Sequence, residues 1–336
     1  MTLDQYLQRF KKLHVDHSRK NTLGSVAPHK PVLLLSIIQL IEDGVIESPQ
    51  IYLTPELLAT FKEYWEQLAN PKFHSEIAVP FFYLKSDGFW TLVPHLGQAQ
   101  ALSVSKGLKS FNQLTQKVAY AELDKELFRL WQNSQHRAYF RQVLLDTYLD
   151  YNKNRFSTKV DYNQYIQTLE TTYLEEDFET YQTRLIEENR IGQRDHRKRE
   201  KFLEKEFIRS QLFPKTILKL YNHTCCISGL QVITDTSTTQ TITMVDACHI
   251  EPFAQNRNNS IQNGIALTPT LHRAFDRGLI AIDDRYRVIV ADNFQENTAS
   301  RYNLSGFQGQ GILLPPHEQF YPKIEVLKAH QKRFNL

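Results

Sequence analysis

The last third of the chain changes its hydrophobic period within one short stretch, and that change restricts its local fold. Residues 241–248 alternate between two sets of side chains, as a β-strand does. A polar loop with several asparagines covers residues 254–263. Thr268-Pro269 then supplies an N-cap and a first-turn proline for a short helix that Gly278 ends. We therefore expect a strand, a loop and a helix in succession.

Three polar side chains fall at defined places in this pattern. His249 ends the strand, Asn263 lies in the loop and His272 lies on the helix, with the spacing His-x13-Asn-x8-His. Taken singly, a strand histidine is usually structural and a loop asparagine usually belongs to a turn. Together they suit a metal-dependent phosphodiesterase, which needs a base, a group that orients the base, and a divalent ion.

The segments around these residues resemble the HNH endonucleases of ββα-metal fold. The resemblance spans about residues 207–292 and rests on the motifs DACHIEPF, NGIAL and LHRAFDRG, with YNHTCCISG similar to the entry segment of that family. It implies that His249 is the general base, that Asn263 braces the loop that positions it, and that His272 is a metal ligand. Asp276 and Arg277 are expected to be structural. Arg273 is a candidate phosphate contact, with a solvated helix arginine as the alternative.

The second protein ligand of the metal is open between two residues. Many HNH sites hold an acidic or imidazole group directly before the base, where this chain has Cys248. Asp246 lies on the same strand face, and its carboxylate suits a hard ion better than a thiol does. We expect one Mg²⁺ or Mn²⁺ per site, held by Asp246 and His272. Since the cysteine pairs that bind zinc in many relatives are missing, no structural zinc is expected.

A second motif that suits ligand binding lies in the N-terminal half. His29 and Lys30 come directly before Pro31, which opens an apolar helix that Gly44 ends. Free N–H groups at a helix N-terminus attract phosphate, and a neighbouring imidazole and ammonium add to that attraction. The alternative is that this pair is simply solvated.

The segments APHKPVLLLSIIQLI and AVPFFYLKSDGFWTL resemble the sulfur-binding domain of phosphorothioate-dependent restriction endonucleases, which precedes an HNH module in McrA-like enzymes. The resemblance implies that His29 and Lys30 approach the modified phosphate and that a hydrophobic cup around Pro80 receives the sulfur. Tyr83 stands where some relatives have a smaller residue, which leaves a modified base such as 5-methylcytosine as the alternative target of the domain. A flipped base would stack on aromatic side chains, among them Tyr83 and Trp90.

The length of 336 residues predicts about two domains. We expect an α+β, multidomain chain: a DNA-reading domain over 1–150, a charged, exposed helical linker over 151–205, the HNH domain over 206–300 and a C-terminal extension over 301–336. Further predicted elements are helices at 3–14, 32–43, 55–68 and 120–151, a strand at 51–53, and hairpins at 77–93 and 279–290.

Composition excludes several classes. A net charge of +3 is far from that of a polycationic nucleic-acid tail. No apolar run approaches the roughly 20 residues of a membrane span, and the N-terminus lacks the pattern of a signal peptide. Three cysteines make a poor disulfide framework, so we expect a cytoplasmic protein without a membrane partner.

The expected function is that of a modification-dependent (type IV) restriction endonuclease, with modified double-stranded DNA as partner and a homodimer as a possible assembly. Two alternatives remain. One is a modified-DNA-binding protein with a degenerate, inactive HNH domain, suggested by Cys248 at a ligand position. The other is an unspecific or phage-type HNH nuclease whose N-terminal domain binds protein.

Overall fold

The computed structural model describes residues 1–18, 26–99, 110–149, 154, 156–158, 162–192, 195–235, 241–253, 258–297, 300 and 303–336. The chain divides into two compact units, Met1–Thr168 (unit 1) and Leu169–Leu336 (unit 2). Both units combine helices with small antiparallel sheets, so the predicted α+β class is confirmed. Among the described residues, no helix is both long enough and apolar enough to cross a lipid bilayer.

Unit 1 packs helices around a three-stranded sheet. Its described helices are α1 (Leu3–Phe10), α2 (His29–Glu42), α3 (Pro55–Leu68), α4 (Ala78–Tyr83), α5 (Phe111–Lys117), α6 (Lys125–Trp131) and α7 (Ser134–Tyr148). Its described strands are β1 (Gln50–Ile51), β2 (Trp90–Pro94) and β3 (Val118–Leu123), in the antiparallel order β1-β3-β2.

Helix α2 is the centre of unit 1. Its side chains are buried from Lys30 to Ile41, as its nearly continuous apolar sequence predicts. Gly44 follows the helix with a φ of 71°, a left-handed conformation that suits a residue without a Cβ. Thr54 caps α3 by accepting a hydrogen bond from the backbone N–H of Leu57, which confirms the predicted start of that helix.

Two predictions for unit 1 are wrong. Residues 77–84 were expected to form the first arm of a hairpin, but they form α4 and the start of a 3₁₀ helix, Leu84–Asp87. Strand β2 pairs instead with β3, which overlaps the first residues of the helix predicted at 120–151. In both cases a short apolar run satisfies either period, and the pairing partner decides between them.

Unit 2 contains the predicted strand–loop–helix pattern. Its described helices are α8 (Tyr162–Glu175, which begins in the last residues of unit 1), α9 (Phe178–Gly192), α10 (His196–Leu220), α11 (Pro269–Asp276) and α12 (Ile324–Phe334). Its described strands are β4 (Ile233–Asp235), β5 (Thr241–Thr243), β6 (Asp246–His249), β7 (Gly264–Leu267), β8 (Ile280–Ile282) and β9 (Val288–Val290).

Antiparallel pairs build this unit: β4 with β5, β6 with β7, and β8 with β9. The β8–β9 hairpin and the short helix α11 confirm their predictions. The single strand expected at 241–248 is instead two strands, because β5 and β6 belong to different sheets. Helix α10 packs against β6 and β7 and contributes Phe213 and Ile217 to the core.

The segment predicted as an exposed helical linker is helical where it is described, but it is not exposed throughout. Tyr173 on α8 and Tyr181 on α9 are almost fully buried, and Tyr181 packs with Leu185 and Phe202 in a small core cluster. The charged composition of this segment did not predict that a few of its apolar side chains are buried. The functional boundaries at 150, 205 and 300 remain predictions.

Candidate active site

Strand β6, the 3₁₀ helix before β7, and helix α11 hold the three polar residues of the sequence motif. His249 is the last residue of β6 and lies opposite Gly264, the first residue of β7. Asn263 ends the 3₁₀ helix directly before β7, and His272 lies in the middle of α11. The structure therefore places His249 at the end of a strand and His272 on a helix, as the sequence predicts, whereas Asn263 lies on a short 3₁₀ helix at the end of the predicted loop.

The imidazole of His249 is half-buried and held from two directions. Its ring stacks on the ring of Phe213, with 3.8 Å between centroids and 6° between planes. Its Nε2 lies 3.1 Å from Oδ1 of Asn259. Burial lowers the pKa of His249, and the contact with Asn259 opposes that shift. A neutral imidazole at neutral pH can accept a proton, which is what a general base requires.

Asn263 ties together the backbone that follows His249. Its Oδ1 accepts a hydrogen bond of 2.9 Å from the N–H of Glu251, and its Nδ2 donates to the carbonyl oxygens of Glu251 and Asn258 at 3.0 Å each. The backbone carbonyl of Asn263 also accepts from the N–H of Ile250. The side chain is fully buried, so it closes the loop at both ends rather than facing solvent.

Three potential ligand groups, from Cys248, Asp246 and Asp276, surround His272. A sulfur, a ring nitrogen and a carboxylate oxygen from Cys248, His272 and Asp276 lie within 4.8 Å of one another. Asp246 reaches the same histidine, with its Oδ2 3.5 Å from Nδ1, while Oδ2 of Asp276 lies 3.5 Å from Nε2. Asp246 and Asp276 are both about half exposed, whereas Cys248 is fully buried.

The donor set at His272 fits a divalent ion. One carboxylate together with the imidazole suits Mg²⁺ or Mn²⁺, and both carboxylates are about half exposed, so water can complete the coordination. Burial raises the pKa of the Cys248 thiol, and the neutral sulfur that results is a poor ligand for a hard ion. The carboxylate oxygens are therefore better ligands for a hard ion than the sulfur of Cys248. Asp246 and Asp276 each contact one ring nitrogen of His272.

At the start of α2, the predicted anion-binding pair of His29 and Lys30 makes contacts within unit 1 and is not simply solvated. Lys30 is buried, and its Nζ donates to Oδ2 of Asp87 at 2.6 Å and to Oγ of Ser86 at 3.1 Å. Half-buried His29 lies beside the ring of Trp65, and its Nε2 is 2.9 Å from the carbonyl oxygen of His74. The charge of Lys30 is thus already balanced within unit 1.

The remaining candidates for DNA contact differ in their accessibility. Pro80 is buried within α4, and Tyr83 at the end of that helix is half-buried. Trp90 is buried in β2, and its Nε1 donates to the carbonyl oxygen of Phe81 at 2.8 Å. Arg273 is exposed on α11. Of these four, Tyr83 and Arg273 have side-chain surface that a ligand can reach in this conformation.

Sequence reasoning missed three residues at this site. Asp276 was expected to be structural, although its position four residues after His272 places both on one helix face and was a usable signal. Asn259 and Phe213 contact His249 from a loop and from a preceding helix. Neither contact has a signature in the order of residues along the chain.

Comparison with known proteins supports one part of the chain directly. Residues 225–283 match the family model described as HNH endonuclease, which confirms the resemblance for that region. No curated protein matches the chain.

Two solved structures are similar to it. The first is a modification-dependent TagI restriction endonuclease, at 19% identity and a TM-score of 0.30 over 38% of this chain and 39% of that chain. The second is the sulfur binding domain of SprMcrA complexed with phosphorothioated DNA, at 17% identity and a TM-score of 0.36 over 47% of this chain and 97% of that chain. This chain therefore matches about two fifths of the length of the TagI enzyme.

Proposed function

We propose that this protein is a metal-dependent DNA endonuclease whose cutting site lies in unit 2. The observation that carries the proposal is the joint placement, on one strand–loop–helix unit, of a half-buried neutral imidazole and a separate cluster of potential metal ligands. The match of residues 225–283 to the HNH endonucleases supports it.

His249 acts as the general base in this proposal. Its Nε2 is engaged with an oxygen of Asn259, so its Nδ1 carries the lone pair that takes a proton from the attacking water. The imidazolium that forms keeps Nε2–H pointed at Asn259, and a charge-assisted hydrogen bond is stronger than a neutral one. Asn263 holds the loop after His249 through its contacts with Glu251 and Asn258.

His272 would hold one divalent ion together with a carboxylate of Asp246 or Asp276. Such an ion supplies positive charge to the scissile phosphate and to the leaving oxygen. Arg273, exposed beside His272 on α11, would bind a neighbouring phosphate. The identity of the ion, Mg²⁺ or Mn²⁺, belongs to the proposal.

Residues 1–150 would read modified DNA, with phosphorothioate as the first candidate and 5-methylcytosine as the second. The sequence motifs around His29, Lys30 and Pro80 support this assignment. Because Lys30 is paired with Asp87, its part in reading would be to hold the start of α2 in place. His29 and Tyr83 are half-buried and keep side-chain surface that a ligand can reach.

The proposal is tested with three plasmids: unmodified, phosphorothioated and 5-methylcytosine-methylated. Each is incubated with the full chain and Mg²⁺ or Mn²⁺, and nicked and linear products are separated. Cleavage restricted to a modified plasmid supports both halves of the proposal. Equal cleavage of all three contradicts modification reading, and no cleavage with any metal contradicts the endonuclease. His249→Ala should abolish cleavage and retain DNA binding.

A second candidate function is a modified-DNA-binding protein with an inactive HNH domain. The observation that favours it is the fully buried Cys248, whose neutral sulfur occupies a ligand position. Tight binding without cleavage, unchanged by Asp246→Ala or His272→Ala, would support this alternative.

A homodimer is part of the first proposal, because one HNH site cuts one strand. Rapid conversion of nicked to linear DNA with rising protein concentration would support a homodimer.

A further inference from the structure

Asn259 connects the candidate base to two helices that precede the whole nuclease motif. Its side chain contacts His249, and its backbone contacts Tyr173 on α8 and Tyr181 on α9. All three contacts lie within unit 2. We propose that Asn259 is a positioning residue for His249, and that Tyr173 and Tyr181 form a clamp that holds Asn259. This inference rests on the proposed function.

The contact between His249 and Asn259 selects one form of the imidazole. An amide oxygen only accepts hydrogen bonds, so Oδ1 of Asn259 at 3.1 Å requires Nε2 of His249 to carry the hydrogen. The lone pair then resides on Nδ1, where it can receive a proton. Oδ1 is the amide atom of Asn259 that contacts His249 in this structure, whereas Nδ2 is buried without a hydrogen-bond partner among the described residues.

The clamp engages both polar groups of the Asn259 backbone. The hydroxyl of Tyr173 donates to the carbonyl oxygen of Asn259, and the N–H of Asn259 donates to the hydroxyl oxygen of Tyr181 at 3.1 Å. The hydroxyl of Tyr181 in turn donates to Oε2 of Glu206 on α10 at 2.9 Å. Burial raises the pKa of both tyrosines, so both hydroxyls stay protonated and can donate.

An ion-pair network fixes the two tyrosines. The guanidinium of Arg209 lies over both rings, 4.8 Å from that of Tyr173 and 4.5 Å from that of Tyr181, and it is paired with Glu176. Arg184 joins Glu176 at 2.8 Å to Glu206 at 3.2 Å. Helices α8, α9 and α10 thereby meet behind one loop residue, which explains why a charged segment buries two tyrosines.

Asn259 and Asn263 perform different tasks in this arrangement. Asn263 contacts the backbone of Glu251 and Asn258 and shapes the loop, whereas Asn259 contacts the imidazole itself. Phe213 sets the plane of the ring, and Asn259 sets its rotation within that plane. Loss of Asn259 should therefore change which ring nitrogen of His249 carries the hydrogen, while the fold is kept.

The test begins with the protonation of the ring nitrogens in the full chain. Protein labelled with ¹⁵N in histidine is examined by long-range ¹H–¹⁵N NMR, with His249→Gln used to assign the resonance. We expect Nε2–H in the original protein and a mixture of Nε2–H and Nδ1–H in Asn259→Ala. An unchanged Nε2–H form in Asn259→Ala would overturn the inference, and this readout needs neither metal nor cleavage.

Cleavage gives a second readout that separates this inference from the proposed function. Under single turnover, Asn259→Ala should cut DNA at least about tenfold more slowly, with its DNA Kd unchanged within about twofold. Asn259→Asp retains an acceptor oxygen and should recover most of that rate. If the original protein cuts no DNA, the proposed function fails alone; if Asn259→Ala cuts at the original rate, this inference fails alone.

Tyrosine variants cover the case in which Asn259→Ala does not fold. Tyr181→Phe and Tyr173→Phe each remove one hydroxyl from the clamp and should lower the cleavage rate about threefold or more. The matched control is Tyr286→Phe in the same unit, whose hydroxyl donates to the carbonyl oxygen of Pro322 at 3.1 Å, away from His249. Equal rates for all three phenylalanine variants would contradict the clamp.

Discussion

The imidazole of His249 lies flat against the ring of Phe213, with centroids 3.8 Å apart and planes at 6°. Phe213 is fully buried on α10, a helix that precedes the nuclease motif in the chain. The orientation of the candidate base therefore depends on a residue outside the segment that carries the base. The same helix carries Glu206, which accepts a hydrogen bond from the hydroxyl of Tyr181 in the clamp around Asn259.

Replacement of Phe213 by leucine should slow cleavage without weakening DNA binding. The smaller, non-planar side chain leaves the imidazole free to tilt, and a misplacement of about 1 Å at a catalytic group can cost up to about a hundredfold in rate. We expect a loss of about tenfold in single-turnover rate. Phe320→Leu, at a buried phenylalanine without a ring contact to His249, is the matched control. Equal rate losses in the two variants would mean that general destabilisation is the cause.

Gly264→Ala should destabilise unit 2 and disturb His249. Gly264 lies opposite His249 in the β6–β7 pair, and an added Cβ would come within 2.8 Å of Cζ of Phe213 and closer still to Cδ1 of Ile217. Both neighbours are buried, so the added methyl group overpacks the site at a cost of about 1–3 kcal/mol. Urea unfolding measures this loss. Gly311→Ala, where a Cβ would meet no atom within 4 Å, is the control that should keep its stability.

The two carboxylates at His272 should respond unequally to substitution. A neutral imidazole has one lone pair, so only one of its nitrogens can bind the ion while the other donates to a carboxylate. The ligand atoms of Asp276, His272 and Cys248 lie within 4.8 Å of one another, and Asp246 is not part of that group. We therefore expect Asp276→Asn to weaken Mn²⁺ binding by at least about tenfold and Asp246→Asn to weaken it less. Calorimetric titration with Mn²⁺ decides this. A larger effect of Asp246→Asn would instead assign the ion to Asp246, as the sequence predicts.

His330 should make unit 2 less stable in acid. Burial lowers its pKa to about 4 from an ordinary value of 6.5; its Nε2 lies 3.0 Å from the carbonyl oxygen of Phe275, and the charged groups facing it are Arg333 and Asp276. The unfolded chain takes up this proton first as the pH falls. The stability is thus present above pH 6.5 and lost towards pH 4, by roughly 2–3 kcal/mol.

His330→Leu provides the comparison for that prediction. It removes the titrating group, so its free energy of unfolding should fall less between pH 7.5 and pH 4.5 than that of the original protein. Urea unfolding at both pH values gives the two differences. Identical pH dependence in the two proteins would show that other groups account for the loss.

The pair formed by Lys30 and Asp87 should matter first for the stability of unit 1. Both side chains are buried, and their charged atoms lie 2.6 Å apart. Asp87→Asn leaves the ammonium without a counter-charge, which should cost about 3–5 kcal/mol of unfolding free energy. The exposed pair of Arg129 and Glu126 offers a control, since Glu126→Gln should cost less than about 1 kcal/mol. Equal losses would contradict the structural importance of Lys30.

Local sequence signals sufficed wherever neighbouring residues define an element. Thr54-Pro55 and Thr268-Pro269 mark the starts of α3 and α11, and His249 and His272 lie on the predicted strand and helix. The same reasoning failed at residues 77–84 and 120–123, where a short apolar run is compatible with helix and strand alike. There the pairing of β2 with β3 decides the outcome.

The candidate base shows which features of the site the sequence alone predicts and which it does not. The chain order determined where the candidate site residues lie, since His249, Asn263 and His272 fall at the spacing of one strand–loop–helix unit. Only the tertiary structure decided how that base is held, because Phe213, Asn259, Tyr173 and Tyr181 come together through ring stacking and hydrogen bonds between distant segments. Such contacts form only when helices pack on a sheet, and packing of that kind leaves no periodic pattern in the chain.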